Sequence, residues 1–488
     1  MSMIKIENLT FSYPTSYDNI FENASFQIDT DWKLGFVGRN GRGKTTLLQL
    51  LLGKYEYSGH IDASVQFDYF PYPVADPTRF TNEVFFEIAP TAEEWELIRE
   101  LSYLEVDADV LYRPFATLSN GEQTKVLLAA LFCNTGHFLL IDEPTNHLDG
   151  RAREIVAAYL KKKKGFILVS HDRCFLDGCV DHILSINRAN IDVQSGNYST
   201  WFANFERQQK AEQAQEESLK KDIRRLQQAA RRSAAWSDRV EASKFGSGPV
   251  DRGYIGHKSA KMMKRSKSIT ARQQNAIEQK KGLLKNVETA ERLELSPLPY
   301  PTELLASFLD VSVCYNGKTI CGPISFTIKQ GDRIVFDGKN GSGKSSLLKL
   351  LVGQKIGHRG TVQVGSGLLI SYVPQDTSGL RGNLTDFAQE HRIDKSKFQT
   401  ILRKMGFERV QFEKDMQDFS AGQKKKVLIA KSLCEQAHLY VWDEPLNYID
   451  IYSRMQIEQL IREFSPTMVL VEHDKAFRTE IATKQIVL

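Results

Sequence analysis

Two stretches of the sequence have the composition and spacing of a loop that holds phosphate. Residues 38–45 read Gly-Arg-Asn-Gly-Arg-Gly-Lys-Thr, and residues 338–345 read Gly-Lys-Asn-Gly-Ser-Gly-Lys-Ser. Glycines at these positions let backbone N–H groups surround a phosphate at the start of a helix. The lysine supplies a positive charge for the β- and γ-phosphates, and the next hydroxyl is offered to Mg²⁺. The predicted nucleotide contacts are Gly38, Asn40, Gly41, Gly43, Lys44, Thr45, Thr46, Gly338, Asn340, Gly341, Gly343, Lys344, Ser345 and Ser346.

Carboxylates and histidines end apolar segments farther along the chain, again in two copies. An aspartate at the end of a strand suits Mg²⁺, and a glutamate beside it can orient or polarise water for attack on the γ-phosphate. A lone histidine is more often structural, but two in equivalent positions favour contact with the γ-phosphate or the attacking water. The candidate Mg²⁺ ligands are Thr45, Asp142, Ser345 and Asp443, and the candidate catalytic residues are Glu143, Glu444, His171 and His473.

These motifs recur because the chain contains the same unit twice. Four motifs return at offsets of 300, 301, 301 and 302 residues. In each unit an apolar strand runs into the phosphate loop and an amphipathic helix follows. Apolar strands that alternate with helices predict an α/β fold with a parallel sheet, whose ligands lie at the carboxyl ends of the strands. We predict a first repeat (residues 1–200), a linker (201–300) and a second repeat (301–488).

Two short segments that begin with serine lie between the phosphate loop and the Asp-Glu pair of each repeat. Ser119-Asn-Gly121 and Ser420-Ala-Gly422 should each begin a helix, because serine caps a helix and glycine allows a phosphate to approach closely. They resemble the signatures of ATP-binding cassette (ABC) proteins. The resemblance implies that each repeat adds a helical signature subdomain to its sheet, and that ATP and Mg²⁺ lie between the phosphate loop of one repeat and the signature of the other.

The resemblance also implies how the two sites are composed. One site combines Lys44, Thr45, Asp142, Glu143 and His171 with Ser420 and Gly422. The other combines Lys344, Ser345, Gln375, Asp443, Glu444 and His473 with Ser119 and Gly121, where Gln375 is a further Mg²⁺ ligand. Tyr13 and Tyr315 stand where the family places an aromatic ring on adenine, although ordinary strand packing also explains them. The first repeat has Tyr72 in place of Gln375, so we expect the two sites to be unequal.

Two repeats on one chain, a basic helical linker and Glu-Pro-Thr-Asn-His-Leu-Asp at residues 143–149 are similar to the ABC-F subfamily. Only 46 residues separate Tyr72 from Ser119, and the chain ends 15 residues after His473, which looks most like the Lsa-type antibiotic-resistance members. The resemblance implies an ATPase that binds the bacterial 70S ribosome at the tRNA exit site, near P-site tRNA. It also implies that the linker is inserted towards the 23S rRNA of the peptidyl transferase centre, which protects against lincosamides, streptogramin A and pleuromutilins.

Composition limits the classes of protein that remain. The 488 residues are 41% hydrophobic and 25% charged, which favours folded domains over disorder. No apolar run is long enough to span a membrane, and the six cysteines lack the spacing of a disulfide framework or zinc site. We therefore expect a cytoplasmic, ribosome-associated monomer whose own repeats pair, with no membrane and no obligate protein partner.

The net charge of +4 is unevenly distributed. Residues 206–296 contain 21 Lys and Arg against 12 Asp and Glu, a net charge of +9, which leaves −5 for the remainder. This favours an anionic partner such as RNA, although a solvated helix surface would also carry such charge. We predict an αα-hairpin with a glycine-rich tip near residues 245–258, and its second helix runs from about Ser259 to Leu295. The rings of the tip either stack on unpaired bases or pack between the helices. The candidate ribosome contacts are Lys244, Phe245, Tyr254, Ile255, His257 and Lys258.

Three other functions remain open from the sequence. A housekeeping ABC-F translation factor would act on stalled ribosomes without drugs. The ATPase subunit of a membrane transporter would need a membrane partner, and a DNA-repair ATPase would use the basic linker on DNA.

Overall fold

The computed structural model describes most of both repeats and only the start and end of the linker. The described residues are 2–14, 19–186, 191–211, 291–315 and 318–488, with isolated positions at 214, 218, 221, 224, 225 and 228. The predicted hairpin beyond these positions, its tip and the six candidate ribosome contacts lie outside the described residues. One compact unit comprises Met1–Trp201 and Ala290–Leu488, and another comprises Phe202–Thr289. The predicted boundaries at residues 200 and 300 stay a prediction.

Each repeat contains a parallel sheet and a smaller antiparallel sheet. The strands of the first repeat are β1 (Met3–Phe11), β2 (Phe21–Asp29), β3 (Lys33–Gly38), β4 (Ser58–Asp62), β5 (Gln66–Phe70), β6 (His137–Asp142), β7 (Phe166–Val169), β8 (His182–Ile186) and β9 (Ile191–Ser195). The larger sheet has the order β5-β6-β7-β3-β8-β9 and is parallel except for the pair β8-β9. The smaller antiparallel sheet has the order β2-β1-β4.

The second repeat has the same plan. Its strands are β10 (Leu304–Tyr315), β11 (Lys318–Lys329), β12 (Arg333–Asp337), β13 (His358–Val364), β14 (Ile370–Val373), β15 (Leu439–Asp443), β16 (Met468–Val471) and β17 (Lys484–Val487). The parallel sheet has the order β14-β15-β16-β12-β17, and the antiparallel sheet has the order β11-β10-β13. The predicted α/β fold with two parallel sheets is thus confirmed.

Helices follow the strands and cover the parallel sheets. The described α-helices of the first repeat are Lys44–Leu51, Thr81–Ile88, Glu94–Tyr103, Asn120–Leu131, Gly150–Lys162 and Arg173–Cys179. Those of the second repeat are Lys344–Leu351, Leu384–Glu390, Lys395–Lys404, Ala421–Cys434, Ile451–Phe464 and Lys475–Ile481. Residues 198–211 are also helical. No helix among the described residues combines the length and the apolar character that crossing a membrane requires. All six cysteines are free.

The sheet order places the functional motifs side by side. In the first repeat β3 precedes the phosphate loop, β6 ends at Asp142 and β7 precedes His171, and β6, β7 and β3 are consecutive neighbours. In the second repeat β15, β16 and β12 have the same relation. These central strands are apolar on both faces, because helices or the smaller sheet cover each side. Leu34, Ile167 and Leu168 are fully buried.

One sequence expectation fails at the end of the linker. The apolar spacing predicted a helix that continues to about Leu295, but residues 291–300 have no regular secondary structure. Leu293 and Leu295 instead pack into the hydrophobic core of the second repeat. Side chains of that repeat take up the backbone carbonyls that a helix would have used. Lys404 Nζ donates to the carbonyl of Arg292 and Gln456 Nε2 donates to that of Glu291, both at 2.7 Å.

Candidate nucleotide sites

Both phosphate loops form a tight turn between a buried strand and a helix. Gly43 (φ 89°) and Gly343 (φ 92°) cap the helices in the left-handed conformation, which favours glycine. A Cβ on Gly43 would lie 2.5 Å from Ile20 Cγ2. Lys44 Nζ donates to the carbonyl of Gly38 at 2.8 Å, and Lys344 Nζ donates to the carbonyl of Gly338 at 2.7 Å. Each lysine therefore lies across the mouth of its own loop, where a phosphate would contact it.

The predicted Mg²⁺ ligands come together in each repeat. Thr45 Oγ1 donates to Asp142 Oδ2 at 3.0 Å, and Ser345 Oγ donates to Asp443 Oδ1 at 3.1 Å. The other carboxylate oxygen of Asp443, Oδ2, is buried and has no hydrogen-bond partner among the described residues. Burial raises the pKa of Asp443 to about 6. A hydroxyl beside a buried carboxylate with a free oxygen fits Mg²⁺, which binds few protein ligands and keeps water and phosphate oxygens.

Glu143 and Glu444 follow these aspartates in an unusual backbone conformation. Their φ angles are 51° and 47°, in the left-handed region that non-glycine residues seldom adopt. The N–H of Glu143 donates to the carbonyl of Val169 at 2.9 Å, and the N–H of Glu444 donates to that of Val471 at 3.0 Å. The adjacent strand thus fixes each glutamate at the edge of the sheet.

A histidine accompanies each glutamate. His171 Nε2 lies 3.3 Å from Glu143 Oε1 and 3.1 Å from Asn40 Oδ1. Burial, assisted by the charge of Lys44, lowers the pKa of His171 well below its usual value, so this imidazole is neutral. His473 Nε2 lies 3.6 Å from Glu444 Oε1.

The two glutamates differ in their polar surroundings. Burial and the neighbouring Asp142 raise the pKa of Glu143 to about 8. Although His171 Nε2 lies 3.3 Å from Glu143 Oε1, this oxygen accepts no hydrogen bond from the described residues. Burial also acts to raise the pKa of Glu444, but His473 and Gln375 outweigh it and the pKa is lowered. Gln375 Nε2 donates to Glu444 Oε2 at 2.8 Å. The inequality expected from the sequence therefore extends to the candidate catalytic groups.

Tyr72 does not replace Gln375 in space. Its hydroxyl donates to Glu87 Oε1 at 3.2 Å and not to the Asp-Glu pair. The neighbouring residue that reaches the pair is Tyr69, whose hydroxyl donates to Asp142 Oδ2 at 3.1 Å. Sequence reasoning missed Tyr69, although alternation along the strand Gln66–Phe70 places Phe67 and Tyr69 on the same face.

The signature of the first repeat faces the phosphate loop of the second. Ser119 caps the helix Asn120–Leu131 and forms a capping box with Glu122, which confirms the predicted helix start. A cavity of about 1020 Å³ joins the two repeats here. It is lined by the predicted residues Ser119, Gly121, Tyr315, Asn340, Gly341, Gly343, Lys344, Ser345, Ser346, Gln375, Glu444 and His473. Two predicted residues are absent from the lining: Asp443 is buried behind Ser345, and Gly338 lines an adjoining cavity.

The first phosphate loop meets the second repeat more closely. Ser420 caps the helix Ala421–Cys434, as predicted. Asn40 Nδ2 donates to the carbonyl of Tyr448 at 2.7 Å. A Cβ on Gly422 would lie 2.9 Å from Asn40 Nδ2 and 2.4 Å from the Tyr448 oxygen, so only glycine allows this approach. The loop of one repeat and the signature of the other are thus adjacent at both sites.

The two candidate adenine-stacking tyrosines have different environments. Tyr13 donates to or accepts from Thr46 Oγ1 at 3.0 Å, and its ring packs edge-on against Phe11 and Tyr55. Tyr315 makes the equivalent contact with Ser346 at 3.1 Å, but it is 41% exposed and lines the second cavity. The ring of Tyr13 thus packs against neighbouring rings, whereas the ring of Tyr315 lines the cavity, and adenine stacking by either tyrosine stays a prediction.

Comparisons with known proteins agree with this duplicated arrangement. The sequence model of the family described as ABC transporter matches residues 21–146 and 321–447. The chain is 27% identical over 501 residues to the ribosome protection protein VmlR of Bacillus subtilis (strain 168), covering 100% of this chain and 87% of that protein. It is 25% identical over 507 residues to the ATP-binding protein Uup of Buchnera aphidicola subsp. Acyrthosiphon pisum (strain APS), covering 99% and 80%.

A solved structure shares the fold. The archaeal ribosome recycling factor aABCE1, in a complex with the stalk protein aP1, has a TM-score of 0.65 and 18% identity, over 98% of this chain and 87% of that one. The family match in both repeats confirms that one domain is duplicated. The Lsa-type grouping and the roles of individual residues stay predictions.

Proposed function

Because the chain belongs to the ABC transporter family, with the family's domain present in both repeats, we propose that it is an ATPase of the ABC-F type that acts on the bacterial 70S ribosome. The observation that carries the ATPase is the cavity in which Ser119 and Gly121 of one repeat face Lys344 and Ser345 of the other. A triphosphate bound there would contact both repeats and hold them together. The proposed domains are residues 1–200, 201–300 and 301–488.

At the second site the proposed roles follow from the positions of the side chains. Lys344 would neutralise the β- and γ-phosphates, and the N–H groups of Gly341 and Gly343 would donate to phosphate oxygens. Glu444, held by Gln375, would orient the attacking water and accept its proton. Ser345, Gln375 and Asp443 would hold Mg²⁺, which when bound offsets the negative charge that develops on the phosphates.

At the first site the equivalent groups are present with different support. Lys44, Thr45, Asp142, Glu143 and His171 would bind and act on ATP under the signature of the second repeat. Tyr69 donates a hydrogen bond to Asp142 here, and no glutamine among the described residues donates to Glu143. We propose that this site binds ATP and contributes to closure of the repeats.

The basic linker and the similarity to a ribosome protection protein support binding to the ribosome. One relative that aligns with the whole of this chain is a ribosome protection protein. We propose binding at the tRNA exit site, beside P-site tRNA, with the tip near residues 245–258 inserted towards the 23S rRNA of the peptidyl transferase centre. In this position the protein would protect against lincosamides, streptogramin A and pleuromutilins, and hydrolysis of ATP would release it.

The double variant Glu143→Gln/Glu444→Gln tests the cycle. It should bind ATP and hydrolyse it slowly, because amides keep the shape of the carboxylates but accept no proton. In a sucrose-cushion assay with 70S ribosomes and ATP, the variant should accumulate on ribosomes and inhibit translation. The matched control Glu56→Gln/Glu413→Gln removes the same charge from exposed positions and should behave as the wild type. Wild-type release rates in the first variant would contradict the proposed cycle.

Drug susceptibility decides between protection and the nearest alternative. Cells that express the protein should tolerate higher concentrations of at least one of the three drug classes. If drug tolerance changed for none of the three classes while ribosome binding was retained, a housekeeping translation factor would be the remaining interpretation. Sedimentation with membranes instead of ribosomes would favour a transporter ATPase, and preference for duplex DNA over rRNA at physiological salt would favour a DNA-repair ATPase.

A further inference from the structure

The helix Ala421–Cys434 of the second repeat carries a buried lysine that contacts no carboxylate within hydrogen-bonding distance. Lys425 is 2% exposed. Its Nζ donates to the carbonyls of Pro374 and Asp443, both at 2.9 Å, and lies 3.5 Å from the carbonyl of Gln375. An ammonium group has three N–H donors, and these three oxygens account for all of them. Burying a charge costs several kcal/mol unless it is compensated. The burial of a lysine at this position therefore indicates a specific structural or functional role.

The three carbonyls belong to the two backbone segments that support the candidate catalytic glutamate. Pro374 and Gln375 follow β14, and Asp443 ends β15, which pairs with β14. The side chains of Gln375 and Glu444 meet above this point, with Gln375 Nε2 donating to Glu444 Oε2 at 2.8 Å. Lys425 lies outside the lining of the nucleotide cavity. Its ammonium thus holds the two strand ends together through their carbonyls and does not line the nucleotide cavity.

The first repeat lacks this arrangement. The residue five positions after the signature serine is Lys425 in the second repeat and Thr124 in the first. Thr124 Oγ1 donates to the carbonyl of Asn120 in its own helix, at 2.9 Å. The hydroxyl of Tyr72 turns to Glu87, and Glu143 Oε1 has no hydrogen-bond partner among the described residues. The lysine and the supported glutamate thus occur together in one repeat and are both missing from the other.

We propose that Lys425 is a positioning residue that makes the site of Lys344 and Glu444 the faster of the two sites in ATP hydrolysis. It does so by holding the segment of Gln375 against the strand end that carries Glu444. This inference rests on the proposed ATPase function. Without the ammonium, three carbonyls lose their donor and the two segments can separate, which would release Gln375 from Glu444. Small displacements of a catalytic group cost roughly tenfold to hundredfold in rate.

Variants in which only one of the two sites can hydrolyse ATP test the inference. In Glu143→Gln, where only the second site is competent, adding Lys425→Met should lower kcat by about tenfold or more. The dissociation constant for a fluorescent ATP analogue should stay within about twofold, because Lys425 does not line the cavity. In Glu444→Gln, the same addition should change the residual rate by less than about twofold. Lys424→Met, one position earlier on the same helix and partly exposed, is the matched control and should be neutral in both backgrounds.

Melting curves and a second variant distinguish a folding defect from a positioning effect. Melting curves should show Lys425→Met folded, and Lys425→Thr installs the residue that the first repeat already accommodates at this position. An unchanged kcat for Lys425→Met in the Glu143→Gln background would overturn the inference and leave the proposed ATPase intact. Equal loss of kcat and of nucleotide affinity, or failure of both variants to fold, would assign Lys425 to stability and also overturn it. A wild-type protein without ATPase activity would refute the proposed function itself.

Discussion

Asp450 forms a buried ion pair whose loss should weaken the second repeat strongly. Its Oδ2 accepts from Lys426 Nζ at 2.6 Å, with the two side chains 1% and 6% exposed, and its Oδ1 accepts from the N–H of Ser453 at 3.0 Å. Asp450→Asn keeps an oxygen for the Ser453 N–H and so retains the helix cap. It leaves Lys426 charged, buried and without an anionic partner, which costs about 3–5 kcal/mol. For a domain of about 200 residues this lowers the melting temperature by roughly 6–20 °C.

The first repeat supplies the control. Asp149 caps its helix through the N–H of Ala152, and Lys125 donates to the carbonyl of Leu104 at 2.8 Å. Within the described part of the chain, Lys125 and Asp149 form no ion pair. Asp149→Asn should therefore cost less than about 1 kcal/mol. Calorimetry would give the melting temperatures, and hydrogen exchange in peptides from residues 421–464 would show whether the loss is confined to the second repeat.

The same pair predicts a dependence on pH. Burial opposes ionisation of Asp450, but Lys426 outweighs it and holds the pKa of Asp450 below its usual value. The stability from this carboxylate is therefore present above about pH 4, the unfolded pKa, and is lost as the pH falls through the folded pKa. The difference between wild type and Asp450→Asn should narrow below about pH 4. Equal effects of Asp450→Asn and Asp149→Asn at neutral pH would refute the assignment.

Further changes test the contacts between the repeats and the support of the first site. Gly422→Ala would place a Cβ 2.4 Å from a carbonyl oxygen, so the repeats should close poorly and ATP turnover should fall at least tenfold in a steady-state assay. Arg173→Met leaves Glu458 buried and without this ion pair, so it should lower the free energy of unfolding by about 3 kcal/mol, measured by thermal melting. The double variant Arg173→Met/Glu458→Met should recover most of the lost stability. Tyr69→Phe removes the hydrogen bond from Tyr69 to Asp142 and should lower the free energy of unfolding by about 1.5 kcal/mol. An unchanged free energy of unfolding would show that this hydrogen bond does not stabilise the fold.

The parallel sheets and the loops that follow them could be predicted because their determinants are local. A run such as Leu34–Gly38 followed by two further glycines and a lysine allows few other structures, and serine three residues before Glu122 or Gln423 marks a helix start. Duplication strengthened each of these predictions, since the same pattern had to serve twice.

The parts of the fold and of the candidate sites that could not be predicted depend on contacts between residues far apart in the sequence. Arg173 lies 3.0 Å from Glu458 across 285 positions, and neither residue is unusual in its own segment. Lys425 looks like one more member of a basic run until its burial is known. The predicted helix extends to Leu295, but Leu293 and Leu295 lie in a segment without regular secondary structure and pack into the core of the second repeat.

The left-handed backbone at Glu143 and Glu444 lowers the stability of the fold at the two residues that we propose are catalytic. A non-glycine residue at such φ angles carries about 1–3 kcal/mol of strain, which glycine would relieve. Glycine there would also delete the carboxylate that we propose orients the attacking water. Selection for thermal stability alone would thus favour replacements that remove the proposed ATPase activity, so laboratory evolution of a more stable protein should hold these two positions fixed.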